Sequence, residues 1–359
     1  MKGRFQHRQG RGANCGGGFQ PRGLVTWAAV VMMLAASSAF AGVPAVNFWF
    51  DDFNDGNATD GSPLVWTPHP ATPGSYDAST GDYEMATTTP GDQDESLISI
   101  VRPESNPSVS TFSDMSIRTR GVLSASAGNL LVGARLDFNT VSGFVTYVDH
   151  GGQMALLGVQ GVPTEEIAIY DPPDDGPVIV DALTDVVLQL DAIGSAVSAT
   201  FWRPGEPQPD PILVGVPLTV FASGDGGLVY NEDAVDPPDT GHSSGIYRWA
   251  KALDQKLIDG DMDLDGDVDF DDIDDFVQGL NNAAGYEAEK GVPPVMMGDT
   301  DNDGDQDFDD IGVFVTILSG SSSAGIGVPE PSTFVLAGVG VLTVLGCSRR
   351  SSRSSRARS

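Results

Sequence analysis

The chain has almost no cysteine: two in 359 residues, Cys15 and Cys347, each close to one end. No disulfide can staple the body of the molecule, whatever compartment it occupies. Stability has to come from buried apolar surface or from bound metal. Positive charge is nearly as scarce. Of 19 Lys and Arg, five precede residue 42 (Lys2, Arg4, Arg8, Arg11, Arg22) and five follow residue 348 (Arg349, Arg350, Arg353, Arg356, Arg358). The remaining nine face all 50 Asp and Glu. So acidic a body repels nucleic acid phosphates and anionic lipid and attracts cations. Histidine is rare too, and His69, His150 and His242 have no neighbours at the spacing of a metal site or catalytic triad. Long apolar runs are missing except for one near each end.

Those two runs read as targeting segments. Residues 1–23 form a cationic leader, 24–36 are apolar, and Ala39-Phe40-Ala41 offers small residues where an export peptidase reads them. This pattern predicts a secretory signal peptide over 1–41, cut before Gly42. Near the other end Pro329-Glu330-Pro331 stops regular structure, 333–347 is almost wholly apolar, and an Arg/Ser tail closes the chain. Fifteen helical residues rise only about 22 Å, short of the roughly 30 Å hydrocarbon core. The arginines hold their end in the cytoplasm. So short a span suits a transient inner-membrane anchor better than a permanent one.

The order Val-Pro-Glu-Pro-Ser, short apolar helix, arginine cluster resembles the PEP-CTERM sorting signal of bacterial exported proteins. The resemblance covers about the last 32 residues. It implies recognition by a membrane-embedded exosortase, cleavage near the Pro-Glu-Pro, and delivery to the cell surface or beyond. Cys347 would leave with the discarded tail.

From about 42 to 255 the pattern is of short strands broken by Gly, Pro, Asp and Ser. In "VVLQLDAIGSAVSATFW" Val186, Leu188 and Leu190 point one way and Val187, Gln189 and Asp191 the other. After a turn at Ile193-Gly194-Ser195, Val197, Ala199 and Phe201 share a face opposite Ser198, Thr200 and Trp202. The period predicts a hairpin with one buried face. Similar runs occur at 130–138, 143–148, 154–159, 167–170, 178–180, 228–230 and 245–250. Many strands at short spacing predict an all-β antiparallel sandwich or jelly roll. "FWFDDFNDGNATDG", "VWTP" and "GDGGLVY" resemble concanavalin A-like (laminin G-like) jelly rolls, which include lectins, glucanases and structural modules. Fold alone therefore leaves the activity open.

Candidate sites in the sandwich are few. Retaining glucanases of this fold set two carboxylates on one strand, and the nearest match is Glu165, Glu166 and Asp171 in "TEEIAIYD". Glu166 and Asp171 fall on opposite faces of a strand, so no catalytic residue is assigned. Trp66 and Trp202 could stack on sugar rings. Asp51, Asp52, Asn54 and Asp55 could hold a cation or form a solvated turn.

The strongest signal is "GDMDLDGDVDFDDIDDF" at 260–276, with nine aspartates between Asp261 and Asp275. It recurs 38 residues later. Asp261, Asp263, Asp265, Gly266, Asp267, Asp269 and Asp272 fall over Asp299, Asp301, Asp303, Gly304, Asp305, Asp307 and Asp310. Two carboxylates about 4 Å apart repel by roughly 4 kcal/mol at an effective dielectric of 20, and a divalent cation reverses that sign. A calcium loop takes carboxylates at positions 1, 3 and 5, glycine at 6, a carbonyl at 7, a water-linked group at 9 and a carboxylate at 12. Both repeats satisfy all of these, which predicts two calcium ions. Each loop leads into an apolar helix face: Ile273, Phe276, Val277, Leu280 and Ile311, Phe314, Val315, Leu318. Little sign of an entering helix precedes either loop, since "RWAKALDQKLI" reads as a last strand and "GVPPVMMG" is broken by prolines.

A half EF-hand given twice resembles the dockerin domain, over about 256–320. The resemblance implies two loops related by a near two-fold, and "NNAAGYEAEKG" suits a short helix between them. Position 12 is Asp in place of the Glu of full EF-hands, a feature dockerins share. Positions 10 and 11 are Phe270-Asp271 and Phe308-Asp309, where cellulosomal dockerins commonly place small hydroxyl residues that meet a cohesin. The calcium fold carries over by residue; the cohesin partner does not.

The expected organisation is a signal peptide (1–41), a sandwich (42–255), a small all-α dockerin-like module (256–320), a linker with the Pro-Glu-Pro (321–332) and a transmembrane sorting helix with its tail (333–359). The expected function is an exported, calcium-binding, non-catalytic surface protein whose sandwich takes carbohydrate and whose module serves attachment to a cohesin-like or other surface protein. The alternative is a polysaccharide-degrading glycoside hydrolase carrying a dockerin.

Overall fold

The computed structural model describes residues 46–321 apart from 62, 88–95, 125–127, 150, 161–163, 173–183 and 232–243. The leader, the Pro-Glu-Pro linker, the apolar tail, both cysteines, His150, His242 and the strand expected at 178–180 lie outside the described residues.

The described strands begin with β1 (Phe48–Asp51), β2 (Trp66–Pro68), β3 (Ser75–Asp77), β4 (Tyr83–Ala86) and β5 (Ser96–Val101). Longer ones follow: β6 (Met115–Leu123), β7 (Asn129–Asp137), β8 (Ser142–Asp149), β9 (Met154–Gln160) and β10 (Glu165–Tyr170). The set ends with β11 (Val186–Ile193), β12 (Ala196–Trp202), β13 (Leu213–Gly215), β14 (Asp225–Asn231) and β15 (Ser244–Leu253). They form two antiparallel sheets. One runs β13-β12-β11-β6-β15-β4-β3, with β1 also paired to β15; the other runs β10-β9-β8-β7-β14-β5-β2. This is a mostly antiparallel β-sandwich with few helices, in keeping with a jelly roll.

Alternation along each strand makes the core. Leu130, Val132 and Ala134 of β7 and Leu188, Leu190 and Ala192 of β11 point between the sheets, with Trp49, Trp66, Tyr83 and Phe144. Sheets stacked this way interdigitate across about 10 Å. The expected β11–β12 hairpin forms, with Leu190 opposite Ala199 and Ile193 opposite Ala196.

Its second face departs from expectation. Val187, Gln189, Asp191, Thr200 and Trp202 were to face solvent, yet all are buried. The cause is a cover the strand period cannot announce: residues 254–321 pack across this face of the sheet. Gln189 Nε2 donates to the Leu257 carbonyl at 3.0 Å and to Asp191 Oδ1 at 2.8 Å. Gln189, Asp191 and Thr200 tolerate burial here because each finds a partner, whereas Trp202 Nε1 has none among the described residues.

The covering module contains α1 (Asp272–Asn281), α2 (Ala283–Lys290), α3 (Val295–Gly298) and α4 (Asp310–Ser321). Asp272, Asp274 and Asp275 crowd the first turn of α1, where the helix dipole favours negative charge. α2 starts at Asn282, whose side chain accepts from Gly285 N, and stops at Gly291 with φ 81°. Leu257, Met262, Phe276, Tyr286, Val292, Met296, Met297 and Phe314 build the module's own core, against which Phe48 and Phe50 of β1 pack.

Candidate metal centre

Each acidic loop is shaped by its own backbone. Gly266 (φ 100°) and Gly304 (φ 112°) take the left-handed turn at position 6, where a side chain would be strained. Position 4 is left-handed in both loops as well, at Leu264 (φ 67°) and Asn302 (φ 61°). The carboxylates at positions 1, 3 and 5 then converge. Oxygens of Asp261, Asp263 and Asp265 lie within 4.8 Å of one another, and so do those of Asp299, Asp301 and Asp303.

Position 12 does something more specific than the spacing foretold. Asp272 Oδ1 accepts from Met262 N (2.6 Å) and Asp263 N (3.1 Å), and its Oδ2 from Asp269 N (2.8 Å). Asp310 repeats this with Thr300 N (2.6 Å), Asp301 N (3.0 Å) and Asp307 N (2.8 Å). One carboxylate thus ties the start of each loop to its end. It is not among the three that gather. Asp267 and Asp305, at position 7, turn their side chains to solvent, as do Asp269 and Asp307 at position 9. Position 7 needs only its carbonyl.

Electrostatics follow from this crowding. Burial, then the neighbouring Asp272, pushes the Asp261 carboxyl up to about 7. Burial likewise raises Asp310 to about 7, and Asp299 to about 6 against the opposing pull of Lys251. The donor set is entirely hard oxygen, which suits calcium or magnesium and not a soft metal.

The two repeats meet through equivalent residues. Phe276 and Phe314 stack with centroids 4.1 Å apart and planes 3° from parallel. A near two-fold relation brings a residue onto its own counterpart in this way. The seam is narrower than the sequence pattern predicts, because one stacked pair fills it. Phe276 and Phe314 are buried and Ile273, Leu280 and Leu318 half-buried, while Val277, Ile311 and Val315 are exposed. Phe270 (73% exposed) and Phe308 (71%) also stand out from the surface, at position 10 of each loop.

The loops differ in their surroundings. Loop 1 opens to solvent, whereas loop 2 is built into the sandwich. The buried Lys251 ammonium of β15 donates to Val295 O at 3.0 Å and lies 3.4 Å from Asp299 Oδ2. Arg118 of β6 pairs with Asp259 and donates to Gln189 Oε1 (2.7 Å), Gln208 Oε1 (3.1 Å), Leu257 O (3.2 Å) and Asn302 Oδ1 (3.3 Å). The Asn302 carbonyl accepts from Arg120 Nη1 (3.2 Å) and Trp249 Nε1 (3.3 Å). None of these partners was nominated from the sequence.

The sandwich candidates resolve differently. Trp66 is buried with Nε1 on Asp51 Oδ2 at 2.8 Å, and Trp202 lies under the module beneath the Arg118 guanidinium, so neither presents a face to a sugar. Asp51 accepts from Phe53 N, Asp52 from Asn54 N and Asp55 from Asn57 N. That is a hydrogen-bonded turn, not a gathered cation site. Glu165 is committed to the Leu218 and Thr219 amides at 2.6 and 3.0 Å, which hold its carboxyl below the usual range. Glu166 and Asp171 are exposed, Glu166 on edge strand β10 and Asp171 just past its end. His69 is buried with Nδ1 accepting from Ala71 N.

Comparison with known proteins bears first on the far end of the chain. Residues 327–350 match the PEP-CTERM protein-sorting motif. The motif marks an exported protein that carries a C-terminal sorting signal. Among the described residues no helix is long and apolar enough to cross a membrane. No curated protein sequence matches the chain. Solved structures similar to it include the carbohydrate-binding module CBM66 from Bacillus subtilis, at 14% identity and TM-score 0.36, covering 51% of this chain and 91% of that one. A prokaryotic β-1,3-1,4-glucanase (lichenase) from a mouse hindgut metagenome is similar at 10% identity and TM-score 0.39, covering 57% and 98%. The VIP36 exoplasmic/lumenal domain, bound to Ca2+ and Man3GlcNAc, is similar at 9% identity and TM-score 0.40, covering 54% and 86%.

Proposed function

We propose that the protein is an exported, non-catalytic calcium-binding protein of the cell surface or extracellular space, in which a dockerin-like pair of half EF-hands is docked on a β-sandwich. The reading is carried by one observation: two loops of the same register each gather three carboxylates within 4.8 Å. In loop 1 calcium would be held by Asp261, Asp263, Asp265 and Asp272, by the Asp267 carbonyl, and through water by Asp269. In loop 2 the equivalents are Asp299, Asp301, Asp303 and Asp310, the Asp305 carbonyl, and Asp307. Bound calcium supplies the positive charge that lets these carboxylates stay ionised at close range. An exosortase-type enzyme is the partner for the sorting signal, and the membrane is a partner only until the tail is processed.

Titration of the full chain by calorimetry is expected to find two calcium ions. Asp265→Ala with Asp303→Ala removes a gathered carboxylate from each loop and is expected to abolish both. Unchanged stoichiometry would refute the assignment.

Attachment falls to the exposed apolar pairs, Phe270 with Phe308 and Val277 with Val315, which equivalent repeats present twice. The partner class is a cohesin-like or other surface protein. For carbohydrate, the polar cleft of about 340 Å³ between the sandwich and loop 2 is the candidate, lined by Asp52, Asn54, Asp82, Arg120, Arg248 and Asp303 among others. A glycan array probed with the full chain is expected to give signal that Arg248→Ala weakens. Equal signal from both chains would take the cleft out of the account.

A further inference from the structure

The two acidic loops share a ligand register but not their cations. Asp299, position 1 of loop 2, has a wholly buried side chain, and the equally buried Lys251 ammonium lies 3.4 Å from its Oδ2. Its other oxygen, Oδ1, accepts from Gly304 N at 3.4 Å. Lys251 is itself held in place. The ammonium donates to Val295 O at 3.0 Å and sits 5.0 Å from the centre of the Trp249 ring.

Loop 1 repeats the carboxylates without that cation. Asp261, its position 1, accepts from Asp265 N and Gly266 N at 3.1 Å each. The lysine that acts on this loop, Lys290, is engaged at 2.7 Å by Asp275, which is not one of the gathered carboxylates. An ion entering loop 1 therefore meets carboxylates held by amides. An ion entering loop 2 has to share Asp299 with a fixed ammonium, and two positive charges repel strongly at short range where water is excluded.

We propose that Lys251 is a built-in competitor for calcium, so that loop 1 fills first and loop 2 only at a calcium concentration about tenfold higher or more. This order rests on the calcium reading of both loops. Between the two concentrations the module is half-loaded: the solvent-facing loop carries an ion, and the loop set against the sandwich is neutralised by its lysine.

Calorimetric titration of the full chain with calcium is expected to show two steps about tenfold apart or more. Asp303→Ala, which disables loop 2, is expected to keep the tight step, and Asp265→Ala, which disables loop 1, the weak one. Adding Lys251→Met to Asp265→Ala is expected to tighten the remaining step about tenfold or more. Adding it to Asp303→Ala is expected to change nothing. Should the methionine chains fail to fold, the unaltered chain still decides the order, because each position 6 amide bonds the position 1 carboxylate of its own loop. With isotope-labelled glycine, the Gly266 amide resonance is expected to move before that of Gly304 as calcium is added. Steps of equal affinity, a Gly304 resonance that moves first or together with Gly266, or a loop 2 affinity unmoved in a folded Lys251→Met chain would each overturn the order while leaving the calcium reading intact. No calcium uptake at all would overturn that reading and the order with it.

Discussion

Arg118→Met is expected to destabilise the folded chain by about 3–5 kcal/mol, the range for breaking a buried ion pair from one side. Arg118 is fully buried, and its guanidinium joins three parts of the molecule that are far apart in sequence: Gln189 of the sandwich, Gln208 after β12, and Leu257, Asp259 and Asn302 of the module. Removing it strands the Asp259 carboxylate, itself 1% exposed, where water cannot reach it. Methionine replaces the stem's packing, so the loss reports the charge and its hydrogen bonds more than a cavity. Urea unfolding of the full chain measures it, with the midpoint expected to fall. Adding Asp259→Leu to Arg118→Met should restore much of the loss, because two apolar partners leave no buried charge. A single variant as stable as the parent would mean that the module does not sit on this face.

Lys251→Met should separate the two loops. In the metal-free chain Lys251 is the cation that compensates buried Asp299, and burial lowers its own pKa while Asp299 opposes that. Without it, Asp299 keeps no cation at this range until metal arrives. The variant is therefore expected to melt well below the parent in chelator, and to recover a larger share of its stability when calcium is added. By linkage, the state that loses more without the ion gains more from it. Loop 1 has no such lysine at Asp261, so its affinity should not move. Thermal melts with chelator and with calcium give the readout; equal calcium-induced shifts in parent and variant would show that Lys251 and the loop 2 ion are uncoupled.

How much of this could be read beforehand depends on what sets each feature. The loop register, the position 6 glycines and the strand alternation are local, and local spacing reports them. What covers a face is not local. Gln189, Asp191 and Thr200 alternate with apolar residues as solvent-facing groups do, and nothing nearby says that Leu257 and Arg118 will satisfy them. Trp202 looked available for the same reason. A subtler cue was present in the scarcity of cations: of nine basic residues in the body, Arg118 and Arg120 stand two apart on β6, while Arg248 and Lys251 stand three apart on β15. Register sets Lys251 opposite Arg118. So much of a small positive stock on two adjacent strands implies an acidic surface laid over them.

The module that shelters this face follows it in the sequence. Val187, Gln189, Trp202, Arg118 and Lys251 emerge early relative to the loops that shelter them, and the last of those loops closes only at Asp310. A chain that stopped short of Asp299 would leave Lys251 on the sheet without its carboxylate partner.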